Sequence, residues 1–334
     1  MNSTERFNAR LKGEAVDRLP ALPIFMVYAC DLVGKPYDQY CRDHRVMVDG
    51  NLALVDRYGI DVVSCCSFPF AETHDCGAEL EYYDHQPPAC RHHLLQSPAD
   101  FAKLTQPDPA GGGLMTERLK AIQLYREKVG DDIPIQGWVE GPMAQAADLR
   151  GINEIMMETI TEPDFVRELM DWIVEMEIAF ARAQIEAGAT LIGVGDAAAS
   201  LISPKYYADE VAPREKRIID AIHEAGAKVR LHICGSIKKK YAAIAGLGAD
   251  LVDVDYPQTM AEAREGVGPA QVISGNVDPV RGIQNATPDE VREAFAEAHR
   301  QSGDRFILSA GCEVPPGTPE ENVKAMFDYA CSTK

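Results

Sequence analysis

Glu224–Gly235 reads EAGAKVRLHICG, and this stretch decides the fold class. An acidic, alanine-containing helix end hands over at a glycine to a short apolar run. That run closes on His232, Cys234 and Gly235. Glycine just past a helix supplies the left-handed turn that other residues resist. A short, mostly apolar run rich in β-branched residues suits a strand buried on both faces, as a parallel sheet requires. The same hand-over occurs upstream in EAGATLIGVGD (186–196) and downstream in GLGADLVDVDY (246–256).

Working outward, eight such runs appear. They are Leu19–Tyr28, Asp61–Phe68, Ile133–Gly141, Thr190–Asp196, Lys228–Gly235, Asp250–Tyr256, Gln271–Asp278 and Arg305–Cys312. Segments of helical character separate them, several opened by an N-cap before proline: Ser203-Pro204, Thr287-Pro288 and Thr318-Pro319. Strands alternating with helices make βαβ units, and eight of them predict an α/β TIM (β/α)8 barrel. The length of 334 residues fits one such domain spanning 1–334. Residues 1–18 read as an N-terminal helical extension. The connection 70–130 is too long for one loop and helix, so it is expected to decorate the barrel mouth, with a hairpin at GAELEYYDHQPP and a helix at 114–129.

Composition narrows the function classes. Thirty-three basic against 52 acidic residues leave a net charge of −19, which argues against nucleic-acid phosphate and anionic membrane surfaces as partners. No segment approaches the ~18–20 unbroken apolar residues of a membrane helix. MNSTERFNARLKG lacks the apolar stretch of a secretory signal, so a cytoplasmic protein is expected. Nine scattered cysteines, an odd number, fit buried thiols, metal ligands or nucleophiles better than a disulfide framework.

Barrel chemistry sits at the C-terminal ends of strands. The polar residues there are Trp138 and Glu140, Asp196, the His232/Cys234 pair, Asp253 and Asp255, Asn276 and Asp278, and Cys312 with Glu313. His232 and Cys234 are two apart and share a face. A lone His-x-Cys pair is commonly core filler. Its placement at a strand end, with Cys312 ending another strand and glycine beside each cysteine, favours a zinc site with three protein ligands and an open fourth position. Asp196 and Glu140 are the candidate proton-handling or substrate-orienting groups, each with a structural alternative. Trp138 and Tyr28 could stack on a substrate, and Asn276 could tether one, although packing and turn roles suit them too. His74 and His85 fall in the decorated connection, where a loop histidine is usually just solvated. The Lys238–Tyr241 run (KKKY) reads as a solvated helix start.

LHICGSI, SAGCEVPPGTPEENVKAM, WVEGPMAQAADL and GVGDAAASLISP together resemble the uroporphyrinogen decarboxylase superfamily, and within it the zinc-dependent corrinoid methyltransferases. The resemblance runs from GEAVDRLPALP to NVKAM. It implies a TIM barrel, zinc held by His232, Cys234 and Cys312, and cobalamin carried by a separate corrinoid protein, since no DxHxxG-type cobalamin motif is present here. It also implies a fourth, strand-end carboxylate ligand. Asp255 stands at that position, where relatives carry the longer glutamate. The Arg-rich segment of the true decarboxylases is replaced by FMVYACDLVGKPY, which has no arginine. The expected activity is therefore methyl transfer between a small methylated substrate, with a methoxylated aromatic as the leading choice, and a partner's cobalamin. The alternatives are a methylcobalamin:thiol methyltransferase of the coenzyme M type, a metal-free uroporphyrinogen-type decarboxylase and a non-catalytic barrel with a structural zinc.

Overall fold

The computed structural model describes residues 1–333; Lys334, the last residue of the expected domain, lies outside the described residues. Seven strands form one parallel sheet: β1 (Val63–Ser64), β4 (Ile135–Glu140), β5 (Leu191–Gly195), β6 (Lys228–His232), β7 (Leu251–Val254), β8 (Val272–Val277) and β9 (Phe306–Ala310). They run in that order, and helices wrap the outside in a TIM-barrel-like α/β fold. Two short strands, β2 (Leu80–Glu81) and β3 (Ala89–Cys90), pair antiparallel as the hairpin expected within 70–130. The rest of that connection ends in the helix Leu114–Val129.

The first run is the exception. Leu19–Tyr28 forms no strand beyond an isolated bridge between Ala21 and Leu308. Pro20 and Pro23 have no N–H to offer a ladder. The carbonyl of Pro20 accepts from Leu308 N–H and the carbonyl of Ala21 accepts from Asp61 N–H, both at 2.9 Å. This segment therefore links β9 to the strand that follows Asp61. From Val27 to Leu32 the same run turns into a helix.

The helix Ser3–Lys12 in the N-terminal extension is anchored through ion pairs. Asp61, fully buried, accepts from Arg6 at 2.7 Å, from Arg18 at 2.7 Å and from the backbone of Ala21 at 2.8 Å. Ser203 and Thr287 cap their helices as expected, accepting from Tyr206 N–H and Glu290 N–H. Thr318 does not. Its hydroxyl donates to the Pro315 carbonyl, and the last helix begins at Glu320.

Sheet register does the positioning. Glu140 pairs with Gly195, Gly195 with His232, and His232 with Asp253, so four strand ends lie side by side. No helix of the described residues is long and apolar enough to cross a membrane.

Candidate metal centre and active site

β6 ends at His232, and the chain then turns through Cys234 toward the mouth. β9 ends at Ala310, and Gly311 brings Cys312 in from the other side. A side chain at 311 would press to 2.7 Å on the backbone nitrogen of Tyr256, so this approach needs glycine. The three donor atoms converge. His232 Nε2 lies 3.0 Å from Cys234 Sγ, Cys234 Sγ lies 3.8 Å from Cys312 Sγ, and Cys312 Sγ lies 4.0 Å from His232 Nε2. They form a group that could hold a metal ion.

The trio is electrostatically prepared for that task. The Cys234 thiol donates to Cys312, and with the imidazole close by, Cys312 falls to about 4 against the opposing effect of burial. Cys234 is pushed up, first by that same hydrogen bond and then by burial. Burial works against a charged His232, but Asp253 and Cys312 outweigh it and raise the ring to about 10. Asp253 Oδ2 lies 3.3 Å from His232 Nδ1 and accepts from Arg230 Nε at 2.6 Å. Ser274 donates to its other oxygen. Although burial opposes it, the Arg230 guanidinium leads the groups that hold Asp253 down at about 2. Arg230 and Asp253 form a buried pair directly beneath the histidine, the supporting arrangement typical of metal-binding imidazoles.

Above the trio opens a cavity of about 190 Å³, lined by Ile24, Met26, Phe68, Trp138, Glu140 and Glu313. Trp138 lies across β5. A Cβ at Gly193 would sit 2.2 Å from its ring and one at Gly195 2.7 Å, so these two glycines make the indole's bed. Its Nε1–H donates to Glu140 at 3.0 Å. Burial, reinforced by the Glu72 and Asp148 carboxyls, holds the Glu140 proton on well above the ordinary glutamate range. A wider second cavity of about 510 Å³ shares Pro69, Glu140, Ala197 and Cys234 with the first and continues to Phe70, His93, Asp148 and Leu201. Phe70 and His93 come from the decorated connection, which thus reaches the mouth.

Not every sequence candidate arrives there. Both oxygens of Asp255 are occupied by backbone N–H groups, Gly235 at 2.6 Å and Tyr256 at 2.7 Å, and Asp255 stands outside the metal-capable group. Asp196 is fully buried and accepts from Ala144 at 2.7 Å and Met143 at 3.3 Å, fastening the first turn of the helix Pro142–Arg150 rather than facing the cavity. Burial, against those two amides, lifts it to about 6. Tyr28 is buried, its hydroxyl 2.8 Å from that of Tyr58, and it lines neither cavity. Asn276 donates to the Gln258 carbonyl and is likewise absent from the lining. His74 pairs with Asp75 at 2.8 Å, and His85 is solvent-exposed. In the KKKY run, Lys240 is buried, its ammonium donating to the Ser200 carbonyl at 3.0 Å.

Three further residues belong to this neighbourhood, Asp253 and Glu313, which sequence position marks only as strand-end residues, and Arg230, which it does not mark. Arginine inside an otherwise apolar buried run demands a buried counter-charge. That was a readable signal for the Arg230–Asp253 pair. Glu313 accepts from Val27 N–H at 3.1 Å, and burial pushes it to about 7.

The uroporphyrinogen decarboxylase family model matches residues 2–332. The chain belongs to the uroporphyrinogen decarboxylase family. Within that family it is 31% identical to a methylcobamide:CoM methyltransferase (MtbA) from Methanosarcina mazei, over 98% of this chain and 96% of that protein. A uroporphyrinogen decarboxylase from Prochlorococcus marinus is 30% identical, over 61% of this chain and 59% of that protein. A solved methyltransferase structure from Methanosarcina mazei superposes with a TM-score of 0.91 at 27% identity, covering 99% of both chains. Full-length similarity thus places this family member with the methyltransferases. The relatives favour the thiol-acceptor alternative over a methoxylated aromatic, since the methyltransferases it matches are named for coenzyme M.

Proposed function

We propose that this enzyme transfers a methyl group from the cobalamin of a corrinoid protein to a thiol, at a zinc ion held by His232, Cys234 and Cys312. The observation that carries this reading is the donor triangle. Tetrahedral zinc, with Zn–S about 2.3 Å and Zn–N about 2.0 Å, sets two sulfurs about 3.8 Å apart and a sulfur and a nitrogen about 3.5 Å apart. The sulfurs here are 3.8 Å apart, and the two sulfur–nitrogen edges, 3.0 and 4.0 Å, bracket the expected value. Three protein donors beside a cavity leave room for a substrate sulfur, as a catalytic rather than a structural zinc requires.

When bound, zinc supplies Lewis acidity that favours loss of the proton from a thiol at neutral pH. The chain's own residues do the rest. Asp253 and Arg230 fix the imidazole, Trp138 and Phe68 wall the acceptor against water, and Glu140 keeps its proton in that dry wall. The thiol proton leaves to solvent. The sulfur lone pair forms the S–CH3 bond as the Co–C bond breaks, and that bond's electron pair stays on cobalt as cob(I)alamin. Exposed Leu201, Tyr256 and Val280 lie in the segments that follow the C-terminal ends of β5, β7 and β8 and offer apolar surface of the sort a docking partner covers.

Metal analysis and turnover test the proposal together. The purified protein should carry about one zinc per chain. Cys234→Ser and Cys312→Ser should each lose zinc and the methylation of thiols by methylcobalamin while retaining a cooperative melt. Wild-type protein that turns over without any metal, or variants that unfold outright, would defeat the catalytic-zinc reading.

A further inference from the structure

Glu140 stands where the two cavities meet, since it lines both. Its side chain is buried, and one oxygen is accounted for: Oε1 accepts from Trp138 Nε1–H at 3.0 Å. An indole N–H can only donate, so the acid proton of a neutral Glu140 sits on the other oxygen. That oxygen, Oε2, has no protein partner among the described residues and is not sealed off from the cavity space. No lysine or arginine among the described residues pairs with Glu140, and Arg230 is spent on Asp253. A buried carboxyl without a counter-charge holds its proton, and Glu72, Asp148 and Asp196 push the same way. A carboxylic acid kept neutral in such a wall is a hydrogen-bond donor. Register sets its distance from the trio. Glu140 is two strands from His232 by way of Gly195, at spacings of about 4.8 Å each.

We propose that Glu140 is a specificity-determining residue, whose Oε2–H donates to an anionic group at the far end of the acceptor thiol. This assignment rests on the thiol-acceptor reading above and names the group that reads the acceptor's tail. With its sulfur at the trio, a short thiol turns its other end toward the β4 side of the cavity. An anion entering a mostly apolar cavity loses its hydration and needs donors in return. A hydrogen bond to a charged group contributes more than one between neutral partners. An ionised carboxylate in the same place would repel the anion at low effective dielectric. Burial and the neighbouring carboxyls therefore turn an acidic side chain into an anion receptor, and a bound anion tightens the hold on the proton.

The test uses zinc-loaded full-length protein with free methylcobalamin and two thiols of matched length, 2-mercaptoethanesulfonate and 2-mercaptoethanol, followed by cob(I)alamin absorbance. Wild-type protein should use the sulfonate with the higher kcat/KM. Glu140→Leu, which has no donor, should lose at least about tenfold of that ratio, chiefly through KM for the sulfonate. Glu140→Gln keeps an N–H donor and adds no charge, so it should hold the ratio within about threefold. Calorimetric binding of the two S-methyl products should give the same order without turnover. In the infrared, the C=O stretch of a protonated carboxyl should shift when the S-methyl sulfonate binds wild-type protein, and not when it binds Glu140→Gln. The Gln and infrared arms decide the matter even where Glu140→Leu fails to fold. Wild-type protein without preference for the sulfonate, a folded Leu variant with the wild-type ratio, or an infrared band that does not shift overturns the role of Glu140. So does a Gln variant that gains about tenfold for the sulfonate, the mark of a carboxylate that was ionised. Each of these leaves the thiol reading standing. If wild-type protein methylates neither thiol, the thiol reading falls and takes this assignment with it.

Discussion

His232 reaches the cavity with its orientation fixed from below. Its Nδ1 faces Asp253, Asp253 is gripped by Arg230, and Nε2 is left to face the two sulfurs. Outer partners of this sort orient a metal-binding imidazole and raise its basicity, and removing one typically costs 10- to 100-fold in metal affinity. Asp253→Asn should therefore weaken zinc binding by roughly that range. Competition against a chromophoric chelator measures it, and unchanged affinity would mean that the Arg230–Asp253 pair serves the barrel core alone. The same residue-level logic explains why Asp255 drops out of the ligand set. A carboxylate whose two oxygens are aimed at backbone N–H groups at 2.6 and 2.7 Å would have to swing off them to join the His232, Cys234 and Cys312 group, outside which it stands. Leaving such buried donors unsatisfied costs about 1–3 kcal/mol each.

At the scale of elements, two devices build the site. β5 carries glycine at 193 and 195, on the face where the Trp138 indole lies. Gly193→Ala would drive a methyl into the ring, which must tilt away from His232 and Glu140. Overpacking of this sort destabilises by about 1–3 kcal/mol. Because the indole walls the cavity, KM for the thiol should rise more than stability falls, which steady-state kinetics beside denaturant unfolding will show. The second device is the N-terminal extension. Asp61 holds Arg6 and Arg18 together and also receives Ala21 N–H, so one carboxylate joins the first helix, the proline-broken first run and the start of the second. Asp61→Ala strips Arg18 of its carboxylate partner while Arg6 keeps Asp17 at 2.7 Å, so the expected cost is about 3 kcal/mol, the low end of the usual range for a broken buried pair. Urea denaturation should report a loss of that size, and a loss below about 1 kcal/mol would mean that the ion pairs contribute no more than surface ones do.

Across the whole molecule, the unusual feature is how many carboxyl groups are buried near the upper barrel: Glu72, Glu140, Asp148, Glu177, Asp196 and Glu215. Burial raises each of them. For Glu72 it does so to about 8, from an ordinary 4.5. The folded protein therefore keeps a proton that the unfolded chain has already released. The stability this contributes is complete below the unfolded value, about 4.5, and is lost as pH rises toward 8. Wild-type stability should decline between about pH 5 and about pH 8, and Glu72→Gln, which cannot ionise, should decline less. Chemical denaturation at the two pH values decides it; identical slopes would show that Glu72 ionises in place or exchanges with water.

How much was legible beforehand follows from which interactions are local. Periodicity, glycine hand-overs and the Ser203 and Thr287 caps are nearest-neighbour features, so the succession of strands and helices could be read from the residues alone. So could the strand-end addresses of His232, Cys234, Cys312, Glu140 and Trp138, because a parallel barrel puts every strand's C-terminal end on one rim. Run one misled for a local reason that was nonetheless visible: Pro20 and Pro23 interrupt it. What the chain order could not disclose was direction. Asp196 and Asp255 stand at the right strand ends yet turn onto backbone amides, and Tyr28 turns inward to Tyr58, because hydrogen-bond partners far away in sequence captured them. Asp253 and Arg230, by contrast, came to lie beneath His232 only when register set β6 beside β7. The sequence by itself determined the barrel and which residues stand at its rim. Tertiary structure alone decided which of them face the cavity, since buried polar groups orient toward whatever partner packing brings within reach.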